Sequence, residues 1–378
     1  MRQERIRQAK FYSRRTMLRA SCLSAIGSGI HLTENIEAVS HKPTAKSCIL
    51  LFMIGGPSQQ DTFDLKPNAS TEIRGEFNPI ATMTPGLQIC EHLPKLAQRS
   101  HLWGLVRSLT HKESGHGKGT YVMLTGNTVV PASFRSSLPQ STDLPSIAAI
   151  AGSATKPSNK MPTSVILPEK IYHSNTGVYP GQFAGLLGSE HEPWLVECTD
   201  KPHAYHDYSG AFPNYLFNLH DGVASDRDNW KFEVPHLKLQ EGIRENRFHS
   251  RLALLDTIDL QRKKLEHAAS VANYNRIRED AVSLMADPKV RQAFNVRQAD
   301  PKVLERYGNN SFGWSLLMAR RLVEQGVNMV QVNLGNFGSW DLHGNNFPLL
   351  KDFLFPPNIP HEMFNFRICN SNHFFFVY

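Results

Sequence analysis

The stretch Ser47-Cys48-Ile49-Leu50-Leu51-Phe52-Met53-Ile54-Gly55-Gly56-Pro57-Ser58-Gln59-Gln60-Asp61 decides the fold. Eight small or apolar residues run without a polar break and stop at two glycines and a proline. A short continuous apolar run closed by turn formers reads as a strand buried on both faces, as in a parallel sheet. Polar residues follow at once. In open α/β sheets the ligand crevice lies beyond the carboxyl ends of the strands, so Ser58, Gln59, Gln60 and Asp61 stand where chemistry is expected. The plainer reading of the same residues is a polar surface loop in which the Asp caps a turn.

Further along, the same grammar repeats. His101 to Leu109 is a strand candidate, and Thr110-His111-Lys112-Glu113-Ser114-Gly115-His116-Gly117-Lys118-Gly119 follows it as a loop dense in His, Ser and Gly. Val327 to Leu334 alternates as a strand and runs into Gly338-Ser339-Trp340-Asp341-Leu342-His343-Gly344-Asn345-Asn346. Val165-Ile166-Leu167 adds a short strand. Helices are expected over 92–99, 145–152, 240–286 and 311–325, the last stopped by Gly326. Residues 127–145, 152–163 and much of 172–235 read as loops. An apolar strand, then glycine, then Asp or His predicts an α/β fold whose mostly parallel sheet carries the chemistry at its carboxyl edge, with helices on both faces.

Asp341 and His343 are two apart. On an extended segment such residues share a face, so a carboxylate and an imidazole can meet one ion. That pair suits Zn, Mn or Fe better than Ca. Two ligands do not complete a zinc site, and Asp61, His111 and His116 are the natural recruits. Most such pairs are ordinary surface turns. Ser58, Thr110, Ser114 and Thr120 are the hydroxyl nucleophile candidates. None sits in a G-x-S-x-G elbow, and no phosphate-binding G-x-x-x-x-G-K-[ST] loop exists. Arg74, Arg107 and Lys118 are candidates for an anion, although such residues are more often solvated side chains.

The 378 residues carry a net charge of +7, with 20% charged and 40% hydrophobic residues. The excess is local: the first 19 residues hold seven Lys and Arg against one acid, and the remaining chain has 34 bases and 33 acids. No basic footprint for nucleic acid is left in the body. No run approaches the roughly 20 apolar residues of a membrane span. The five cysteines are scattered, without a C-x-x-C pair, which argues against a cysteine zinc site or a disulfide framework. At the N-terminus, Arg14-Arg15 precedes a modest apolar run from Ala20 to Leu32, and Ala38-Val39-Ser40 supplies small residues. Residues 1–40 are therefore expected to be a twin-arginine (Tat) export signal. The Tat machinery is then a partner, and the mature protein is periplasmic or secreted.

Several long segments together resemble the DUF1501 family: "ILLFMIGGPSQQDTFDLKP", "EIRGEFNPIATMTPGLQICEHLPKLAQ", "LVRSLTH", "VMLTG", "ERYGNNSFGWSLLMARRLVEQGVNMVQVN" and "WDLHGNN". The resemblance runs from about residue 13 to about 353. It implies an exported bacterial protein of planctomycete type, with the core of the alkaline-phosphatase/sulfatase superfamily over residues 41–353. It further implies a metal-dependent hydrolase of phosphate or sulfate esters, with Zn or Mn as the divalent metal and sulfated or phosphorylated glycans as partners. By the same resemblance Asp61, Asp341 and His343 are the metal ligands, and the 110–120 loop, with Ser114 and His116, occupies the nucleophile region. Sulfatases carry Cys or Ser, then x-Pro-x-Arg, before a Leu-Thr-Gly. Leu124-Thr125-Gly126 is present here, but His116 and Thr120 fall at the Cys and Arg positions, so the sulfatase nucleophile motif is absent.

The family pattern continues past "WDLHGNN" with a G-E-F-G-R segment and an Asp-His segment that this sequence lacks. Residues 354–378 are an atypical aromatic tail: seven of the residues from Phe353 to Tyr378 are Phe. The expectation is a sheet and metal centre incomplete at the C-terminus, through truncation or a frameshift, with little turnover. The alternative function is a non-catalytic exported module that binds glycans or serves as a scaffold.

Overall fold

The computed structural model describes residues 45–156, 161–173, 177–198, 232, 234, 250, 288–308, 311–334, 340, 346–351 and 374–377. At its centre lie four parallel strands: β1 (Cys48–Met53), β2 (Ser164–Leu167), β3 (Trp194–Leu195) and β4 (Met329–Leu334). Their order is β1-β4-β2-β3. The last strand in sequence is thus central: Leu50 pairs with Gln331 on one side of it, and Ile166 pairs with the same residue on the other. All six residues of β4 are buried, as expected of a strand covered on both faces.

Alternation along the strands sorts the two faces. Ile49, Leu51 and Met53 of β1, Val165 and Leu167 of β2, and Val330, Val332 and Leu334 of β4 join the main core. That core is closed by helix α3 (Ser311–Glu324) and by the shorter helices Pro288–Phe294 and Pro301–Tyr307. On the other face, Leu50, Ile166 and Met329 pack with Ala148 and Ala151 of α2 (Ile147–Ala154), and Phe52 and Ile54 pack with Leu124 of α1 (His116–Thr125). The protein is therefore α/β, with a parallel central sheet and helices on both of its faces.

Local signals explain the helix ends. Ser146 caps α2, its hydroxyl oxygen accepting from the Ala149 amide at 3.0 Å, as N-cap serines do. Helix α3 ends in a Schellman motif: the Gly326 amide donates to the Val323 carbonyl, the Val327 amide donates to that of Leu322, and Gly326 has φ +102°. Its residues 312–319 are buried on every side, so Arg320, Arg321 and Glu324 mark the end that leaves the core. Gly313 is required by contact, because a Cβ there would lie 2.1 Å from the Tyr307 carbonyl oxygen.

Two expectations need correction. The strand predicted over 101–109 is a helical turn at Ser100–Leu102 followed by a strand only at Trp103–Val106. Among the described residues that strand pairs with Phe374–Val377 rather than with the central sheet. The loop predicted over 110–119 ends early, because α1 begins at His116. Three glycines within Gly115–Gly119 lower helix propensity, yet Tyr121, Val122 and Leu124 are buried, and that burial decides. The aromatic tail contains the strand Phe374–Val377. The helix expected over 240–286 lies outside the described residues apart from Ser250, and residues 1–40 lie outside them entirely.

Candidate functional site at the carboxyl edge of the sheet

Strand β1 runs out through Ile54 into Gly55 and Gly56, which have φ of +99° and +75°. The left-handed pair turns the chain sharply, and the one-turn helix Gln59–Asp61 follows. Asp61 ends up buried, at 6% exposure. Its Oδ2 accepts a hydrogen bond from the Asn346 side-chain amide at 2.9 Å. Its Oδ1 has no hydrogen-bond donor among the described residues. Gly75 is pressed against that second oxygen: a Cβ there would lie 2.6 Å from Oδ1 and 3.1 Å from the Phe347 ring. With φ +71°, the position favours glycine on backbone grounds as well.

Gly75 also lines a cleft of about 110 Å³, together with Leu65, Pro67, Arg74, Glu76, Phe77 and Asn78. Arg74 lines this cleft, next in sequence to the glycine that touches Asp61. The other cations named from sequence are placed differently. Arg107 pairs with Asp64 at 3.2 Å, and Lys118 with Glu113 at 3.7 Å.

Asp341 and His343 lie outside the described residues. The residues bracketing them are placed, however. Trp340 is buried, its backbone amide donating to the Ile54 carbonyl at 2.9 Å and its indole N–H to the Leu334 carbonyl at 3.0 Å. Asn346 donates to Asp61. Trp340 and Asn346, on either side of Asp341 and His343 in the sequence, thus both bond to the stretch that follows β1.

Ser114 and His116 are exposed, and neither bonds to Asp61. Helix α1 has ten residues, about 15 Å of length; Leu124 is packed near one end and His116 stands at the other. His111 folds back beside Gly119, its Nδ1 accepting from the Glu113 amide at 3.2 Å. Among the described residues, no three His, Cys, Asp or Glu side chains gather as a metal site.

A profile described as "Protein of unknown function (DUF1501)" matches residues 45–354. The chain belongs to the DUF1501 family. No curated protein and no solved structure matches it.

In this DUF1501 chain the same edge holds groups that the sequence did not announce. On the α2 face of β4, Gln331 and Asn333 are both fully buried. Gln331 Nε2 donates to Asn333 Oδ1 at 2.8 Å, and Asn333 Nδ2 donates to the Glu169 backbone carbonyl at 2.7 Å. Glu169 follows β2 and is 1% exposed. Burial, with a smaller contribution from the nearby charge of Glu197, pushes its carboxyl up to about 8. Glu197 follows β3, with Lys170 at 3.3 Å and the Tyr172 hydroxyl at 3.5 Å. Burial also raises Tyr172 and Cys198. The readable signal was two amide side chains, two apart, inside an otherwise apolar strand.

Of the residues expected to hold a divalent metal, Asp61 alone is among those described, and its surroundings are compatible with a ligand. One oxygen of the buried Asp61 carboxylate is fixed by Asn346, and a glycine keeps side-chain bulk away from the other. Oxygen and imidazole donors of that kind are what Zn and Mn take. Among the described residues, no helix is long and apolar enough to cross a membrane.

Proposed function

We propose that this protein is an exported metal-dependent ester hydrolase with an alkaline-phosphatase/sulfatase type of core. Asp61, Asp341 and His343 are its ligands for Zn or Mn. Its substrates are phosphate or sulfate esters, with sulfated or phosphorylated glycans the favoured class. The supporting observation is the Asn346–Asp61 hydrogen bond, which brings the segment after β4 onto the carboxylate after β1. A divalent metal, when bound, supplies Lewis-acid polarisation of an ester oxygen.

The chain's own residues have separate tasks. Asn346 holds the Asp61 carboxylate in one orientation. Gly75 leaves space beside it. Arg74, which lines the cleft beside Gly75, is available to an anionic ester group, where a guanidinium recognises phosphate or sulfate through two parallel hydrogen bonds. Export by the Tat route places the protein in the periplasm or outside the cell.

The test is metal content by mass spectrometry on the purified chain, followed by hydrolysis of p-nitrophenyl phosphate and p-nitrophenyl sulfate. Retained Zn or Mn, lost in Asp61→Asn and in Asp341→Ala/His343→Ala, supports the reading. Metal content indifferent to all three residues ends it. The exposure of Ser114 and His116, together with the absent nucleophile motif, favours one second reading: a non-catalytic glycan-binding or scaffold module. In that case sulfated-oligosaccharide binding, read by calorimetry, survives Asp341→Ala/His343→Ala.

A further inference from the structure

Asn346, the residue that grips the Asp61 carboxylate, opens a one-turn helix, Asn346–Leu349. Four residues cannot sustain a helix by their own hydrogen bonds, so packing decides where this turn sits. Phe347 and Leu350, three apart and hence neighbours on one side of the turn, both pack into the main core. The Phe347 ring meets Phe77 edge to face, centroids 5.3 Å apart with the planes at 90°, a favoured arrangement for two rings. It also meets Gly75. A Cβ on that glycine would lie 2.6 Å from Asp61 Oδ1, and 3.1 Å and 3.3 Å from Phe347 Cε1 and Cζ. The ring edge and the carboxylate oxygen therefore close on one point, and only a residue without a side chain leaves room there.

We propose that Phe347 is the positioning residue of the Asp61 site: seated on Gly75 and Phe77, its ring fixes the turn that brings the Asn346 amide within 2.9 Å of Asp61 Oδ2. This rests on the reading of Asp61 as a ligand, although the positioning itself requires no metal. The roles divide between neighbouring residues. Asn346 supplies the hydrogen bond, and Phe347 supplies the place from which it is made. A hydrogen bond made from a fixed turn loses less conformational entropy than one made from a mobile turn. The ring edge carries the positive part of the aromatic quadrupole, which suits a carboxylate oxygen nearby. The same ring rests against Gly75 and Phe77, and both line the cleft that Arg74 lines. One side chain thus joins the wall of that cleft to the carboxylate.

The experiment uses the full chain labelled with ¹⁵N-asparagine, first without metal. The Asn346 side-chain amide signal is assigned by its loss in Asn346→Ala. In Phe347→Leu, which keeps an apolar side chain but removes the ring, that signal should move to the position of a solvated amide. Phe77→Leu, which keeps Phe347 and removes its seat, should move it the same way, and decides the matter if the first variant does not fold. Zn affinity is then measured by calorimetry in the parent chain, Phe347→Leu, Asn346→Ala and the double variant. The expected result is about tenfold weaker binding in each single variant and no further loss in the double, because both changes remove one interaction. An Asn346 signal unmoved in folded Phe347→Leu or Phe77→Leu, or losses that multiply in the double variant, overturns the proposal. If the signal moves while Zn content ignores Asp61, the metal reading fails and the positioning role stands. If Zn binding depends on Asp61 and not on Phe347, the metal reading stands and the positioning role fails.

Discussion

The two faces of β4 do different work. Toward α3, Val330, Val332 and Leu334 form an aliphatic surface, each fully buried. Toward α2, the same strand shows Met329, then Gln331 between Leu50 and Ile166, then Asn333 beside Phe52. One strand with one degree of burial thus presents hydrocarbon on one side and amides on the other. Burying an amide costs free energy unless it is hydrogen-bonded, so the second face is the more expensive one to build. Its hydrogen bonds point toward the carboxyl edge, where Glu169 and the segment after β4 lie. The aliphatic face stabilises the fold, and the polar face joins the fold to the candidate site.

The sharpest way to break this contrast is pH. Glu169 has its folded-state value raised from the ordinary 4.5 to about 8. The unfolded chain releases that proton near 4.5 and the folded chain holds it to about 8. Over this window the unfolded state binds fewer protons, so stability falls as pH rises. The penalty is absent below about 4.5 and complete above about 8. At ~1.4 kcal/mol per unit, the loss amounts to several kcal/mol. Urea melts at pH 6 and pH 9 should show it in the parent chain and a much smaller change in Glu169→Gln; equal pH dependence in both would remove Glu169 as the cause.

Next in size is the aliphatic face. Leu334→Ala removes buried methyl groups from the main core and should cost about 2–5 kcal/mol at either pH, read by the same melts. A cost that grew at high pH would mean that the two faces are not separable.

A smaller effect is expected at the site. Asn346→Ala leaves Asp61 Oδ2 without its donor, and removing a hydrogen bond to a carboxylate costs about 1–3 kcal/mol. The change should lower Zn or Mn affinity more than it lowers the melting temperature. Unchanged affinity together with a lower melting temperature would make the bond purely structural.

How much of this was legible beforehand follows from what each signal depends on. The run 48–54 announced its strand because a parallel core strand is written locally, as an apolar stretch with a turn after it. Its neighbour was not announced. Cys48 pairs with Met329, and nothing near either residue specifies the other. The Asp61–Asn346 bond spans 285 positions and is invisible for the same reason. Asp61 itself was legible, because a polar residue just past a buried strand has few places to go. Helix α1 was missed where its glycines spoke for a loop and its later burial spoke louder. Phe374–Val377 was missed although three aromatics and a valine carry high strand propensity, because the composition of the tail was judged as a whole.

The smallest expected effect is also the most discriminating. Gln331 Oε1 is buried without a hydrogen-bond partner among the described residues, between two aliphatic neighbours. A lone buried acceptor is a cost, and an apolar side chain of similar volume removes it. If the polar face served stability alone, Gln331→Leu would be neutral or stabilising, within about 1 kcal/mol, and nothing else would change. Gln331 also donates to Asn333, however, and so fixes the amide that reaches Glu169. The expected outcome is therefore a split: a melting temperature held or raised, and an Asn333 side-chain amide signal that shifts because Asn333 is no longer held by Gln331. A variant that is more stable and leaves the Asn333 amide signal unmoved would show that Asn333 holds its orientation through the Glu169 backbone carbonyl alone.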